Sequence, residues 1–171
     1  FGMTVTGVDK DASKIEALER GEIPIYEPGL EEVVEKNVRA GRLKFTTDLA
    51  PAIREARAVF IAVGTPPLPD GRADLSFVRQ VAESIGDNLN GYKVIVTKST
   101  VPVGTGQMVE RAVREHSGGG QEFAVVSNPE FLREGSAIED FLRPGRVVIG
   151  ARTQRAIDVM LDIYAPLKAA G

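Results

Sequence analysis

Glu130 and Glu134 stand four residues apart in the run Asn128-Pro129-Glu130-Phe131-Leu132-Arg133-Glu134-Gly135. Asn is a good helix N-cap and Pro suits the first helical position. The spacing therefore predicts a helix opening at residue 129, with both carboxylates on one face of its first turn. Two carboxylates so placed can do acid–base work, because their mutual repulsion raises the pKa of one of them. The competing use is structural, since acids near a helix N-terminus also complement its dipole. His116, beside Ser117 and a run of glycines, reads as a solvated helix end rather than a base.

A second chemical signal is Asp9, which closes the run Thr4-Val5-Thr6-Gly7-Val8-Asp9. In dinucleotide-binding folds an acid at the end of the second strand accepts hydrogen bonds from the adenosine ribose and repels a 2′-phosphate, favouring NAD over NADP. Asp is also common at such turns for local reasons, and serving the helix that begins at Asp11 is its commoner use. The companion motif, a strand running into G-x-G-x-x-G roughly 20 residues earlier, is not in this sequence. Gly104-Thr105-Gly106 precedes a helical stretch, but Val109 stands where a third glycine would be, so it reads as a helix start.

Ligands of open α/β sheets bind beyond the carboxyl ends of the strands. Gly64-Thr65-Pro66-Pro67 follows one apolar run there, and Gly64 would let a ligand approach the backbone. Lys98-Ser99-Thr100-Val101-Pro102 follows another and places two hydroxyls at the mouth of the sheet.

The elements that must position these residues are legible as an alternation. Strands are expected over residues 4–8, 43–46, 58–63, 93–97, 123–127 and 146–150. Several are continuous in Val, Ile, Phe and Ala rather than alternating, as strands covered on both faces are. Between them, Asp11 precedes an apolar stripe of Lys14, Ile15, Ala17 and Leu18. Pro28 opens a helix over 30–40 that Gly41 closes. Further helices are expected over 49–56, 75–89, 104–116 and 153–167. Alternating strands and helices predict a doubly wound, mainly parallel α/β sheet in one domain.

Composition narrows the function classes. Of 171 residues, 43% are hydrophobic and 26% charged, which excludes a disordered chain, a collagen-like repeat and a heptad rod. Lys plus Arg is 21 against 24 Asp plus Glu, a net charge of −3, so a broad basic face for nucleic acid or anionic lipid is not expected. There is no cysteine and one histidine, which removes disulfides, thiolate chemistry and a zinc centre from expectation. The apolar run 58–63 is too short to span a bilayer, and the opening residues do not resemble a signal peptide. A cytoplasmic protein is expected.

Several segments, taken together, resemble the UDP-glucose/GDP-mannose dehydrogenase family. They are Gly7-Val8-Asp9, Pro24-Ile25-Tyr26-Glu27-Pro28-Gly29-Leu30, Val63-Gly64-Thr65-Pro66, Lys98-Ser99-Thr100-Val101-Pro102-Val103-Gly104, the Asn128 to Gly135 run, and Arg143-Pro144-Gly145-Arg146-Val147-Val148-Ile149-Gly150. They occur in the family's order, although the family more often has Asp where this chain has Gly145. The resemblance implies a Rossmann-like sheet and NAD as cofactor. It implies that Asp9 holds the adenosine ribose with Lys14 nearby, and that Val63, Gly64, Thr65, Pro66, Ser99, Thr100, Val101 and Glu134 contact the cofactor. Glu130, Phe131, Leu132, Arg133 and Glu134 would line the sugar-nucleotide site, and Glu130 and Thr100 would position a water or relay a proton. The implied reaction oxidises a C6 alcohol twice through aldehyde and thioester stages, taking UDP-glucose to UDP-glucuronate. GDP-mannose or a UDP-N-acetylhexosamine as substrate, or a non-catalytic nucleotide-binding module, are the alternatives.

The family's nucleophilic cysteine, with its lysine and asparagine, belongs to a later domain. Residues 1–171 are thus expected to be the NAD-binding domain, incomplete at both ends, with a connection to a second domain beginning near residue 153. In the Rossmann strand order 3-2-1-4-5-6, residues 4–8 would form the second strand, and the first, central strand with its glycine loop would precede this sequence. Alone, the chain is expected to be neither stable nor active. The implied partners are a sugar nucleotide and, in the complete enzyme, a second copy; nucleic acid and membrane are not expected.

Overall fold

In the computed structural model, which describes residues 2–169, strands and helices run β1 (Val5–Val8), α1 (Ala12–Glu19), α2 (Leu30–Arg39), β2 (Leu43–Thr46), α3 (Leu49–Glu55), β3 (Ala58–Ile61), α4 (Ser76–Asp87), β4 (Lys93–Thr97), α5 (Thr105–His116), β5 (Phe123–Ser127), α6 (Ala137–Leu142) and α7 (Gln154–Ala169). The chain divides into two compact units. Every ladder in either is parallel.

The first unit comprises residues 2–52, 131–146 and 166–169. Its sheet is the pair β1-β2, with Val5 opposite Leu43 and Val8 opposite Thr46. Gly7 is required there, because a Cβ would sit 3.0 Å from the Phe45 ring. Asp11 caps α1, its carboxylate accepting the backbone N–H groups of Ser13 and Lys14 at 3.0 and 3.3 Å. α2 begins at Leu30 as expected, but its N-cap is Gly29, in the left-handed region at φ 80, so Pro28 lies in the turn before the helix rather than at its first position.

The second unit, residues 53–130 and 147–165, holds the sheet β3-β4-β5. Its register sets Ile61 opposite Thr97 and Thr97 opposite Ser127. All five residues of the central strand β4 are buried, the reason its sequence does not alternate. Val78, Ala82 and Ile85 of α4, with Val109, Ala112 and Val113 of α5, are also buried. The two helices approach closely at Gly86, where a Cβ would meet Val113 O at 2.7 Å and His116 Cβ at 2.5 Å. Lys93, buried at the start of β4, donates to Arg54 O and Ala56 O at 3.0 and 2.7 Å. Its charge thus answers the carbonyls at the C-terminus of α3, although burial pushes its pKa down.

Three expected elements differ. Residues 146–150 form no strand; a single antiparallel bridge joins Ser127 to Gly150. The ladder stops there because the Asn128 side chain, not its backbone, takes the next carbonyl, Val148 O, at 2.8 Å. The helix expected from residue 129 is absent for the same reason. With its amide engaged across the chain, Asn128 caps nothing, and helix begins only at Ala137, after a turn at Gly135 with φ 82. Finally, β3 ends at Ile61 rather than at Val63: Ile61 O takes the last ladder bond, from the Lys98 N–H at 2.9 Å, and the Ser99 N–H turns back onto the same carbonyl at 3.2 Å instead of continuing along the strand. Among the described residues, no helix is long and apolar enough to cross a membrane.

Candidate functional site

The carboxyl ends of β3, β4 and β5 carry most of the candidate residues of the second unit. Past Ile61, residues 62–66 leave the sheet, and past Thr97 the segment 98–102 does the same. The two loops are lashed together. Ser99 Oγ donates to Val63 O at 2.7 Å and reaches Ile61 O at 3.3 Å. Thr65 Oγ1 donates to Thr100 O at 2.9 Å. Val63, Gly64, Thr65, Ser99 and Thr100 therefore form one bonded cluster, with Pro66 and Val101 continuing its two strands. Gly64 is exposed, and a Cβ there would meet nothing within 4 Å.

Glu130 joins this edge from β5. Asn128 N donates to Thr97 O at 3.0 Å, which carries the β4–β5 pairing one residue past the strands and delivers Pro129 and exposed Glu130 beyond it. Beneath lies a polar chain that the sequence did not announce. The Tyr164 hydroxyl, from α7, donates to Asn128 Oδ1 at 2.6 Å, and Lys98 Nζ lies 3.5 Å from both. Burial pushes the Lys98 ammonium down while the Glu130 charge pulls it back up.

In the first unit Asp9 ends β1. Its Oδ2 pairs with Lys14 Nζ at 2.6 Å and its Oδ1 accepts the Asp11 N–H at 3.0 Å. The Lys14 contact, with the Asp11 N–H behind it, holds the Asp9 carboxyl below its ordinary range. Each carboxylate oxygen has a second lone pair, so Asp9 can still accept from a ligand hydroxyl. Lys14 also borders an open apolar groove of about 420 Å³ lined by Leu18, Ile23, Pro24, Ile25, Leu30, Val34, Leu43 and Phe45.

The segment 131–134 belongs to this unit as well. Phe131 and Leu132 are exposed, and the Arg146 guanidinium lies 4.8 Å above the Phe131 ring. Arg133 grips Asp140 through two side-chain contacts, at 3.0 and 2.7 Å, and its backbone N–H donates to the same carboxylate at 3.0 Å. Glu134 stands in the turn with Gly135, not one helical turn from Glu130, so the expected one-face pairing of these acids does not form. Glu27 organises this turn. Its carboxylate accepts the N–H groups of Gly135 and Ala137 at 2.7 and 2.8 Å.

Sequence reasoning assigned no role to Glu27, Lys98 or Tyr164, and read Asn128 as a cap. Glu27 and Lys98 do lie inside motifs the sequence displays; nothing marks Tyr164, one tyrosine on an amphipathic helix. His116 Nδ1 lies 2.9 Å from Asp87 Oδ1, a contact between the last residues of α5 and α4 and away from the strand ends.

Parallel α/β ladders with glycine and hydroxyl loops at their carboxyl ends, and an acid closing β1, define a dehydrogenase-type dinucleotide-binding domain. The chain belongs to the UDP-glucose/GDP-mannose dehydrogenase family, whose NAD binding domain it matches over residues 1–168. It is 56% identical over 170 residues to a UDP-glucose 6-dehydrogenase of Rhizobium meliloti, covering 98% of this chain and 39% of that protein. It is 52% identical over 169 residues to a UDP-glucose 6-dehydrogenase of Bacillus subtilis, covering 99% of this chain and 37% of that one. Among solved structures, a UDP-glucose dehydrogenase from Pyrobaculum islandicum superposes with TM-score 0.93 at 48% identity, over 97% of this chain and 39% of its own. A GDP-mannose dehydrogenase from Pseudomonas aeruginosa superposes with TM-score 0.92 at 36% identity, over 96% and 39%. The chain thus spans well under half the length of these relatives.

Proposed function

We propose that this chain is the NAD-binding part of an enzyme that oxidises UDP-glucose to UDP-glucuronate. The observation that carries this reading is the bonded cluster of Val63, Gly64, Thr65, Ser99 and Thr100, with Glu130, at the carboxyl ends of three adjacent parallel strands. The identity to UDP-glucose 6-dehydrogenases favours that substrate over GDP-mannose. The residues fit the cofactor: Asp9 keeps free lone pairs for ribose hydroxyls, and exposed Gly64 has no Cβ to bar a ligand from the backbone. NAD bound there supplies the hydride acceptor for the sugar's C6.

The chain's own residues do the rest. Asp9 orients the ribose and disfavours a 2′-phosphate, with Lys14 fixing its carboxylate. Residues 63–66 and 99–101 line the cofactor, joined by Glu134. Phe131, Leu132, Arg133 and Glu134 line the sugar nucleotide. Thr100 and Glu130 share the handling of a water and a proton, a role worth about 10²–10⁴ in rate for a well-placed general base. The test is a substrate panel on the complete protein that carries this domain. UDP-glucose should reduce two equivalents of NAD, and GDP-mannose or a UDP-N-acetylhexosamine should do so poorly. Reduction with another sugar nucleotide alone would move the substrate assignment, and failure to bind NAD would overturn the reading.

A further inference from the structure

Residues 131–134, which would line the sugar nucleotide, have little apolar anchoring of their own. Phe131 and Leu132 are exposed, and α6, which follows them, has six residues and none of them buried. A helix that short is not stable by itself, so contacts outside it must hold it. Its N-cap residue, Ser136, makes no side-chain cap bond. The cap comes instead from Glu27, whose two carboxylate oxygens accept the Gly135 N–H at 2.7 Å and the Ala137 N–H at 2.8 Å.

Glu27 is itself held. Its carbonyl accepts the Leu30 N–H at 3.0 Å, and Gly29 lies against α6, where a Cβ would stand 3.6 Å from Ile138 Cδ1. On the other side of the segment, Asp140 of α6 takes the Arg133 N–H at 3.0 Å and grips the guanidinium through both Nε and Nη2. The Asp140 grip closes the segment on itself. The Glu27 bonds tie it to residues 27–30, more than a hundred positions away in sequence.

We infer that Glu27 is a positioning residue for the sugar nucleotide, its carboxylate holding the 131–137 turn in the place where the ligand meets it. This role rests on the reading that residues 131–134 line that ligand. With the tie made, the ligand meets a surface already in position. Without it, apparent affinity falls by the fraction of time the turn is in place. Ground state and transition state lose alike, so the loss falls on KM rather than on kcat.

The test compares wild type, Glu27→Ala, Glu27→Gln and Gly135→Ala in the complete protein, reading kcat, KM and Kd for UDP-glucose, and amide exchange. Glu27→Ala should raise KM and Kd about tenfold, as for a turn in place about one-tenth of the time. Its kcat should stay within about twofold, the pattern of lost uniform binding. Glu27→Gln keeps one acceptor oxygen and should lose less. Gly135→Ala loosens the same bond from its other end, because alanine is strained at φ 82 although its methyl meets nothing within 4 Å. It should raise KM in the same way.

A folded Glu27→Ala with wild-type KM and Kd overturns the role, and so does one that loses as much in kcat as in kcat/KM. If Glu27→Ala does not fold, an unmoved KM in Gly135→Ala does the same. UDP-glucose itself separates the two levels. Bound to the wild type, it should slow amide exchange across residues 131–135. Should it bind without slowing them, the placement of the sugar nucleotide on this segment fails. Should it slow them while Glu27→Ala binds as tightly as wild type, only the role of Glu27 fails.

Discussion

The Glu27 carboxylate takes the backbone N–H of Gly135 at 2.7 Å, across 108 positions of sequence, and the Ala137 N–H at 2.8 Å. One acid between two prolines thereby fixes the turn that follows Phe131, Leu132 and Arg133. Gly135, at φ 82, supplies the bend that turns its N–H toward the acid.

Replacing Glu27 by Ala leaves two N–H groups without that acceptor. Charge-assisted bonds of this kind are worth about 1.5–3 kcal/mol when one partner is removed, and solvent at the exposed member offsets part of it. Amide exchange at Gly135 and Ala137 should accelerate at least tenfold in Glu27→Ala, while exchange in β4 stays slow. Equal protection in both proteins would show the turn to be fixed by something else.

Asp9→Ala should weaken NAD binding in the complete protein and narrow its advantage over NADP. The variant loses both the ribose acceptor and the charge that repels a 2′-phosphate, and it releases Lys14, which can then answer that phosphate. Competition isotherms with the two cofactors measure this directly. An unchanged NAD/NADP ratio would return Asp9 to its local role at the Asp11 turn.

Gly86 and Gly106 both lie in helices, yet Ala should act oppositely at the two. At Gly86 the new methyl meets Val113 O, a backbone atom that cannot step aside, so α4 and α5 must separate. Overpacking of this kind costs about 1–3 kcal/mol. At Gly106 the nearest atom is Val125 Cγ1 at 4.0 Å, so Ala should be neutral or stabilise by up to about 1 kcal/mol through helix propensity. Urea midpoints of the two variants decide the matter.

Acid should unfold the protein through its aspartates. Lys14 holds Asp9 below its ordinary pKa, the Ser13 hydroxyl does so for Asp11, Arg133 for Asp140 and Arg72 for Asp70. A carboxyl whose folded pKa lies below its unfolded value contributes stability that is complete above the unfolded value, about 3.9 for Asp, and lost as pH falls through the folded one. The urea midpoint should therefore hold steady from about pH 7 to 5 and decline below about pH 4. Asp140→Asn should make that decline shallower; a steeper one would contradict the assignment.

The sequence by itself determined the strands and most helices of this α/β domain, because their signals are local. The β-branched stretch Val94-Ile95-Val96 within 93–97 suits a strand covered on both faces, and β4, β5 and β2 begin and end where their residues predict. It also marked Asp9, the 63–66 and 98–101 loops and Glu130, since these sit where strands end. Tertiary structure decided the rest, through side chains bonding to partners distant in sequence. Asn128 looked like a helix cap because capping is the nearest use of its amide. Val148 and Tyr164, 20 and 36 positions away, claimed it instead. That competition erased both the helix at 129 and the strand at 146. A buried polar group goes to whichever partner leaves it satisfied, and that partner is known only once the chain has folded.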